Sequence, residues 1–350
     1  MSTTFSSLPI IDLAPLKSPS GPTRTQLDDL SRQLYNVFAT TGFAYLINAP
    51  LTFNHADIFN LAREFFSLPE EEKMKLAKKT FRKENENTYR GYFPTQPKGA
   101  SDNLKEGFEI GSARPIQSPS KITKSSKFNF SEPNVWPPEE IFPYRSRLEK
   151  LYEELQELSS SILSLLASAL GKPSDFFAPY LRNSISTLRL LHYPPRSLAD
   201  QKHPNQETLT STNGGETVQL SCSPHTDSGI LTLLHQDSTG GLEVKDSSDK
   251  WVPAPYIPES IVVNIGDLMA QVSGGRFVAT MHRVRAPVFK TTTNGNGADS
   301  AKFGRFSVPF FFEPGEDCVV RSVDDENNSV VYGEHVRAKM KTWVEYDDQP

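Results

Sequence analysis

His225-Thr226-Asp227 is followed 55 residues after Asp227 by His282, and 23 residues later by Arg305-Phe306-Ser307. Two imidazoles and one carboxylate in this order can supply the 2-His-1-carboxylate face of a non-haem ferrous site. Such a face leaves coordination positions open for O2 and substrate. An arginine with a nearby hydroxyl can hold a carboxylate in a fork of donors. His225 and Asp227 lie two apart, and on a strand that spacing turns both side chains to one face. Arg305 and Ser307 share a face for the same reason. A lone His-x-Asp in a chain with seven histidines carries little weight. Its surroundings give it weight: the apolar strand Ile230-Leu231-Thr232-Leu233-Leu234, the turn Gln236 to Gly241, the turn at Asn264-Ile265-Gly266-Asp267, and His282 among Val278, Thr280 and Val284.

The elements that must position these residues are legible as periodicity. Leu8 to Leu13 reads as a short strand and a Pro- and Ser-rich loop follows it. Leu27, Leu30, Leu34 and Phe38 recur at helical spacing behind a capping box expected at Thr25-x-x-Asp28. Gly42 to Ile47 reads as a buried strand and His55 to Phe66 as a second helix. Ser67-x-x-Glu70 reads as the start of a third. Residues 80–135 are polar and read as long loops with a few short strands. After Pro137-Pro138, Leu148, Leu151, Leu155, Leu158, Ile162, Leu165 and Ala169 form the stripe of a long core-facing helix, closed by Gly171 and Pro173.

From residue 185 the pattern changes to short strands bounded by Gly, Pro and Asp. These are Ser186 to Tyr193, Ile230 to Leu234, Leu242 to Lys245, Ile261 to Ile265, Phe277 to Val284 and Phe306 to Phe312. That spacing suits a sandwich or jelly roll. Arg196 to Ser221 and Thr291 to Ser300 read as mobile loops. Val331 to Tyr346 reads as a helix able to cover a pocket.

Composition bounds the partners. A net charge of -5 offers no basic field for nucleic acid or an anionic membrane. Two cysteines without a C-x-x-C argue for a reducing compartment and against a zinc-thiolate site. No membrane-length apolar run and no leader pattern is read, so a cytoplasmic location is expected.

Several motifs carry a family resemblance over nearly the whole length. They are Leu8-Pro9-Ile10-Ile11-Asp12, Thr41 to Tyr45, Phe65-Phe66-x-Leu68-Pro69-x-Glu71-x-Lys73, Arg90-Gly91-Tyr92 and Lys105 to Gly111. Leu188 to Pro194, His225-Thr226-Asp227 and Met281-His282-Arg283-Val284 complete the set. The chain resembles the 2-oxoglutarate/Fe(II)-dependent dioxygenases of the isopenicillin N synthase-like superfamily, in their fungal form. The resemblance implies a mixed α+β fold. A double-stranded β-helix (jelly roll), from about residue 183 to 320, would be buttressed by N-terminal helices and the long central helix. It divides the chain into an N-terminal region, 1–135, and a catalytic region, 136–350.

The resemblance also implies roles. His225, Asp227 and His282 would bind Fe(II). Arg305 and Ser307 would hold the distal carboxylate of 2-oxoglutarate, and Tyr193 would help bind it. Plant relatives carry Asn two residues before that tyrosine, where this chain has Leu191, so that hydrogen bond is not expected. The implied reaction consumes O2 and 2-oxoglutarate, releases succinate and CO2, and oxidises a small organic molecule by hydroxylation, desaturation or cyclisation. A secondary metabolite or nucleobase-like compound is expected. Candidate substrate contacts are Arg189, Tyr89, Arg90, Tyr92, Phe108, Glu109, Phe310 and Phe312. Two alternatives stay open: an oxidase like isopenicillin N synthase that needs no 2-oxoglutarate, and a metal- or ligand-binding protein without turnover.

Overall fold

The structure, a computed structural model, describes residues 3–95, 105–114, 128–195, 210–213, 216–286, 303–325 and 327–340. Helix α1 (Arg24–Thr40) connects β1 (Ile10–Asp12) to β2 (Phe43–Ile47), which pair in parallel. The capping box of α1 sits at Thr23 and Gln26, two residues before the expected position. Thr23 has the extended backbone that an N-cap requires, whereas Thr25 is already inside the first turn. Helix α2 (His55–Phe66) has the expected bounds and is capped reciprocally by Asn54 and Asp57. The box expected at Ser67 does not form: Pro69 occupies the N-cap of α3 (Glu70–Met74), and the Ser67 hydroxyl donates back to the Glu64 carbonyl. The long helix α4 (Arg145–Ala169) buries Leu148, Leu151, Leu155, Leu158, Ile162 and Leu165, as their spacing predicts.

The remaining strands are β3 (Gly91–Phe93), β4 (Glu106–Ile110), β5 (Thr187–Tyr193), β6 (Thr210–Asn213), β7 (Glu216–His225), β8 (Leu231–Gln236), β9 (Leu242–Lys245), β10 (Trp251–Pro253), β11 (Ile261–Ile265), β12 (His282–Arg285), β13 (Arg305–Phe312), β14 (Val319–Arg321) and β15 (Ser329–Val331). Two further short α-helices occur among the described residues, α5 (Asp267–Val272) and α6 (Tyr332–Met340). One sheet runs β1-β2-β11-β8-β13-β5-β4-β3 and the other β10-β9-β12-β7-β6. Together they form the jelly roll. Helices α1, α2 and α4 cover the outer face of the larger sheet in one apolar core, where Tyr152 of α4 meets Phe310 edge-on at 5.2 Å. A second, smaller core of Phe43, Tyr45, Val244, Val262 and Val284 joins the two sheets.

Two readings are corrected here. The strand expected over Phe277 to Val284 is confined to β12. The preceding residues are drawn toward α1 instead: Val278 N–H donates to Phe38 O and the Thr280 hydroxyl to Thr41 O. Gly42 makes this approach possible, at φ +73°, because a Cβ there would lie 2.3 Å from Val278 O. The segment read as a loop up to Ser221 contains the antiparallel pair β6–β7. Residues 196–209 and 291–300, and the part of the expected C-terminal helix beyond Met340, lie outside the described residues.

Candidate metal centre and co-substrate pocket

His225 is the last residue of β7 and His282 the first of β12. The two strands pair with these residues opposite one another, so their rings meet at 4.2 Å between centroids. Asp227 follows two residues later. Its Oδ1 lies 3.9 Å from His225 Nε2 and 3.8 Å from His282 Nε2. The three ligand atoms lie within 4.8 Å of one another, so one ion can reach all of them.

The other atom of each side chain is engaged. His225 Nδ1 lies 2.8 Å from Ser223 O, and His282 Nδ1 3.3 Å from Thr280 O. A proton on each Nδ1 leaves the Nε2 lone pair for a metal. Asp227 Oδ2 accepts from the Thr232 hydroxyl at 2.6 Å and from Asn264 Nδ2 at 2.8 Å, which leaves Oδ1 free to coordinate. Burial opposes ionisation of Asp227. The two imidazoles and these two hydrogen bonds outweigh it and hold the carboxyl below the usual carboxylate range. Burial, reinforced by repulsion from a protonated His225, pulls His282 down to about 4. His225, opposed by burial, is instead pushed up to about 9 by Cys222 and Asp227, so a metal ion would have to displace a proton from His225.

The triad opens into a cavity of about 510 Å³ between the sheets. On β13, Arg305, Ser307, Pro309 and Phe311 line it, while Phe306, Val308, Phe310 and Phe312 point to the helices. Arg305 is 1% exposed. Its Nε donates to Gly240 O at 2.7 Å, and its guanidinium lies 4.8 Å from the ring centroid of Tyr193, its cross-strand neighbour. Its Nη1 is buried and meets no acceptor among the described residues. A buried donor left so is costly unless a ligand satisfies it. A carboxylate meets that need, and Ser307 and Tyr193 line the same cavity. The donor set therefore fits Fe(II) at the triad and a dicarboxylate at Arg305. Leu191 also lines the cavity, packed with Phe93 and Tyr193.

Of the expected substrate contacts, Tyr89 and Arg189 line this cavity. Glu109 lies behind the wall, where it pairs with Arg189 and with Lys78 Nζ at 2.5 Å. The other five are corrected. Arg90 is a buried strut, donating to Thr187 Oγ1 and to the Ile185 carbonyl. Tyr92 donates to Glu106 at 2.6 Å, and Phe108 stacks on Phe65 at 4.1 Å. Phe310 and Phe312 belong to the core because they have the opposite parity to Arg305 and Ser307. Counting from Arg305 by twos points instead to Phe311 and Glu313, both on the cavity wall. Asn264 and Thr232 were also missed as supports. The signal for Asn264 is an amide set in the otherwise apolar strand Ile-Val-Val-Asn-Ile.

Helix α6 ties the far side of the site together through residues on one of its faces. The Tyr332 hydroxyl donates to Glu313 Oε1 at 2.6 Å, His335 Nε2 lies 3.1 Å from Ser228 O, and Lys339 pairs with Asp267. The Asp267 N–H in turn donates to the Asp227 carbonyl at 2.7 Å. Burial pushes the Glu313 carboxyl up to about 7. Among the described residues no helix is long and apolar enough to cross a membrane.

A jelly roll with two histidines and an aspartate converging at one end of its cavity, and a buried arginine in the same cavity, defines the non-haem iron oxygenase class. Residues 184–314 match the model of the 2OG-Fe(II) oxygenase superfamily. Residues 8–139 match that of the non-haem dioxygenase N-terminal region, described from morphine synthesis. A 2-oxoglutarate-dependent dioxygenase of Didymella fabae is 34% identical over 92% of this chain and 90% of its own length. The 2-oxoglutarate-dependent dioxygenase citB of Monascus ruber is 31% identical over 96% and 95%. A full-length Neurospora crassa protein, solved in complex with alpha-KG and 5-formyluracil, superposes with a TM-score of 0.72 at 25% identity, covering 95% of each chain. The chain belongs to the 2-oxoglutarate/Fe(II)-dependent dioxygenases. It is an oxidoreductase that uses Fe(II), 2-oxoglutarate and O2 on a small molecule.

Proposed function

We propose that His225, Asp227 and His282 hold the iron, and that Arg305, Ser307 and Tyr193 anchor the distal carboxylate of 2-oxoglutarate. Fe(II) held there would supply the O2 chemistry that joins decarboxylation of 2-oxoglutarate, to succinate and CO2, with oxidation of a substrate C–H bond. The residues of the chain bind, orient and exclude water. Asn264 and Thr232 fix Asp227, the Ser223 and Thr280 carbonyls fix the histidine tautomers, and Tyr89, Arg189 and Phe311 form the wall against which the substrate lies. The substrate is a small organic molecule of secondary metabolism or a nucleobase-like compound, and hydroxylation is the favoured outcome. The named fungal relatives and the 5-formyluracil complex of the Neurospora crassa protein support that class. Residues 1–135 act as the N-terminal dioxygenase region, which contributes Phe43, Tyr89 and Lys105 to the cavity wall, and residues 136–350 as the catalytic region, in a cytoplasmic enzyme.

One observation carries this reading. A fully buried arginine has an unpartnered Nη1 in the cavity that also holds the three convergent metal-binding side chains. Adding Fe(II) and 2-oxoglutarate under nitrogen is expected to produce a visible metal-to-ligand charge-transfer band. Arg305→Ala is expected to weaken it and His225→Ala to abolish it. Stoichiometric iron binding with no band would overturn the 2-oxoglutarate anchor in favour of an oxidase that binds its substrate carboxylate at Arg305.

A further inference from the structure

The cavity holds a second polar atom without a partner. Glu313 follows β13 directly and continues the series 305, 307, 309, 311 on the cavity wall. Eight residues of extended chain, roughly 25 Å, separate it from Arg305, so the carboxyl and the guanidinium mark opposite ends of one strand. Glu313 is 5% exposed. Its main chain is fastened on both sides: its N–H donates to Ser186 Oγ at 2.9 Å and its carbonyl accepts from Ser184 Oγ at 2.6 Å. Oε1 accepts from the Tyr332 hydroxyl, while Oε2 is buried and has no donor among the described residues. A carboxylate oxygen held so firmly and left unsatisfied is a recognition group waiting for a donor.

The surroundings narrow the donor. Arg189 lines the same cavity as Glu313, with its guanidinium 5.1 Å from the Phe311 ring centroid. Arg189 and the buried Arg90 both act electrostatically on Glu313. A substrate ammonium would share the cavity with Arg189 and feel Arg90 from behind its wall, with Glu109 offsetting the two cations in part, and a substrate carboxylate would face Glu313 itself. A neutral O–H or N–H suffers neither conflict. Tyr89 and Phe311 offer flat apolar surface on the same wall, which suits a planar ring.

We propose that Glu313 selects the substrate: its carboxylate accepts a hydrogen bond from a neutral O–H or N–H on a planar ring seated against Phe311 and Tyr89. The substrate class is thus phenols and cyclic amides rather than acids or amines. This deepens the assignment of the cavity as a dioxygenase site and rests on it.

The test uses enzyme loaded with Fe(II) and 2-oxoglutarate under nitrogen, so that the charge-transfer band first reports the state of the centre. Two probe pairs are titrated through the perturbation of that band: 4-ethylphenol against 4-ethylanisole, and thymine against 1,3-dimethylthymine. At least one donor-bearing probe is expected to bind about tenfold or more tightly than its methylated twin. Glu313→Gln presents an amide in place of the free oxygen and is expected to bring that ratio close to one. Glu313→Asp, which withdraws the carboxylate by one methylene, is expected to reduce it and provides a second reading if the first variant folds poorly. Equal affinity of both twins for the wild-type protein, a ratio that survives both substitutions, or binding of neither donor probe would each overturn the proposal while the band leaves the iron and 2-oxoglutarate reading standing. Loss of the band in the wild-type protein would overturn both.

Discussion

At the residue scale the centre depends on side chains that never touch a metal. Asp227 can offer Oδ1 because Thr232 and Asn264 occupy Oδ2. Thr232→Val with Asn264→Ala is therefore expected to lower Fe(II) or Mn(II) affinity on the order of 10- to 100-fold. Titration of the metal-free protein reads this directly, and an affinity unchanged by the double substitution would show that the pair does not orient the ligand. The convergence of His225, Asp227 and His282 on one cavity with Arg305 and Ser307 was legible in the sequence, because His-x-Asp, a distant His and Arg-x-Ser impose their spacing on any strand that carries them. Asn264 was not, since an Asn before Ile-Gly-Asp reads as turn chemistry until the fold shows it buried in β11.

At the scale of elements, β13 divides its residues between two environments, and the division is strict because strand side chains alternate. Phe310→Ala is expected to cost about 3–5 kcal/mol of stability, since it opens a hole in the fully buried contact with Tyr152 on α4. The same protein should keep the anaerobic charge-transfer band. Phe311→Ala is expected to do the reverse, leaving the denaturation midpoint nearly unchanged and weakening probe binding. Denaturant titration beside band measurements separates the two. Aromatic content alone could not assign these faces in the sequence, because Phe310-Phe311-Phe312 is apolar on both sides. Only the phase set by Arg305 decides. Helix α4 was readable because its Leu stripe runs almost its whole length, and His55 to Phe66 because its apolar face is clear. The capping box of α1 was a near miss, because Thr23 and Thr25 compete and backbone geometry chooses. The truncated strand before His282 was unreadable, since the Thr41 carbonyl that holds Thr280 is 239 residues away in sequence.

At the scale of the whole molecule, acid should loosen the fold through a site remote from catalysis. His235 on β8 and His55 at the start of α2 are buried with their rings 5.6 Å apart. Burial, and then the nearby His55, hold His235 down to about 3; burial also lowers His55. Unfolding releases both to the ordinary value near 6.5. Their depressed values in the fold mean that stability is fully present above about pH 6.5 and is lost as pH falls toward 3. One such histidine contributes up to about 1.4 kcal/mol per pH unit in that window. Between pH 7.5 and 5, wild-type protein is expected to lose about 2 kcal/mol more than His235→Leu. Parallel slopes in denaturant unfolding at the two pH values would sink this account.

The clasp of α6 on the site also has a consequence for how the protein acquires its metal. Tyr332, His335 and Lys339 fasten Glu313, Ser228 and Asp267, all of which precede α6 in the chain. During translation every ligand leaves the ribosome before the helix that secures its surroundings. For that interval the nascent chain presents an unfastened pair of imidazoles and a carboxylate to whatever divalent ions the cell supplies, and copper and zinc outbind iron on such donors. Any ion taken up in that interval would sit in a site whose surroundings α6 has yet to fasten.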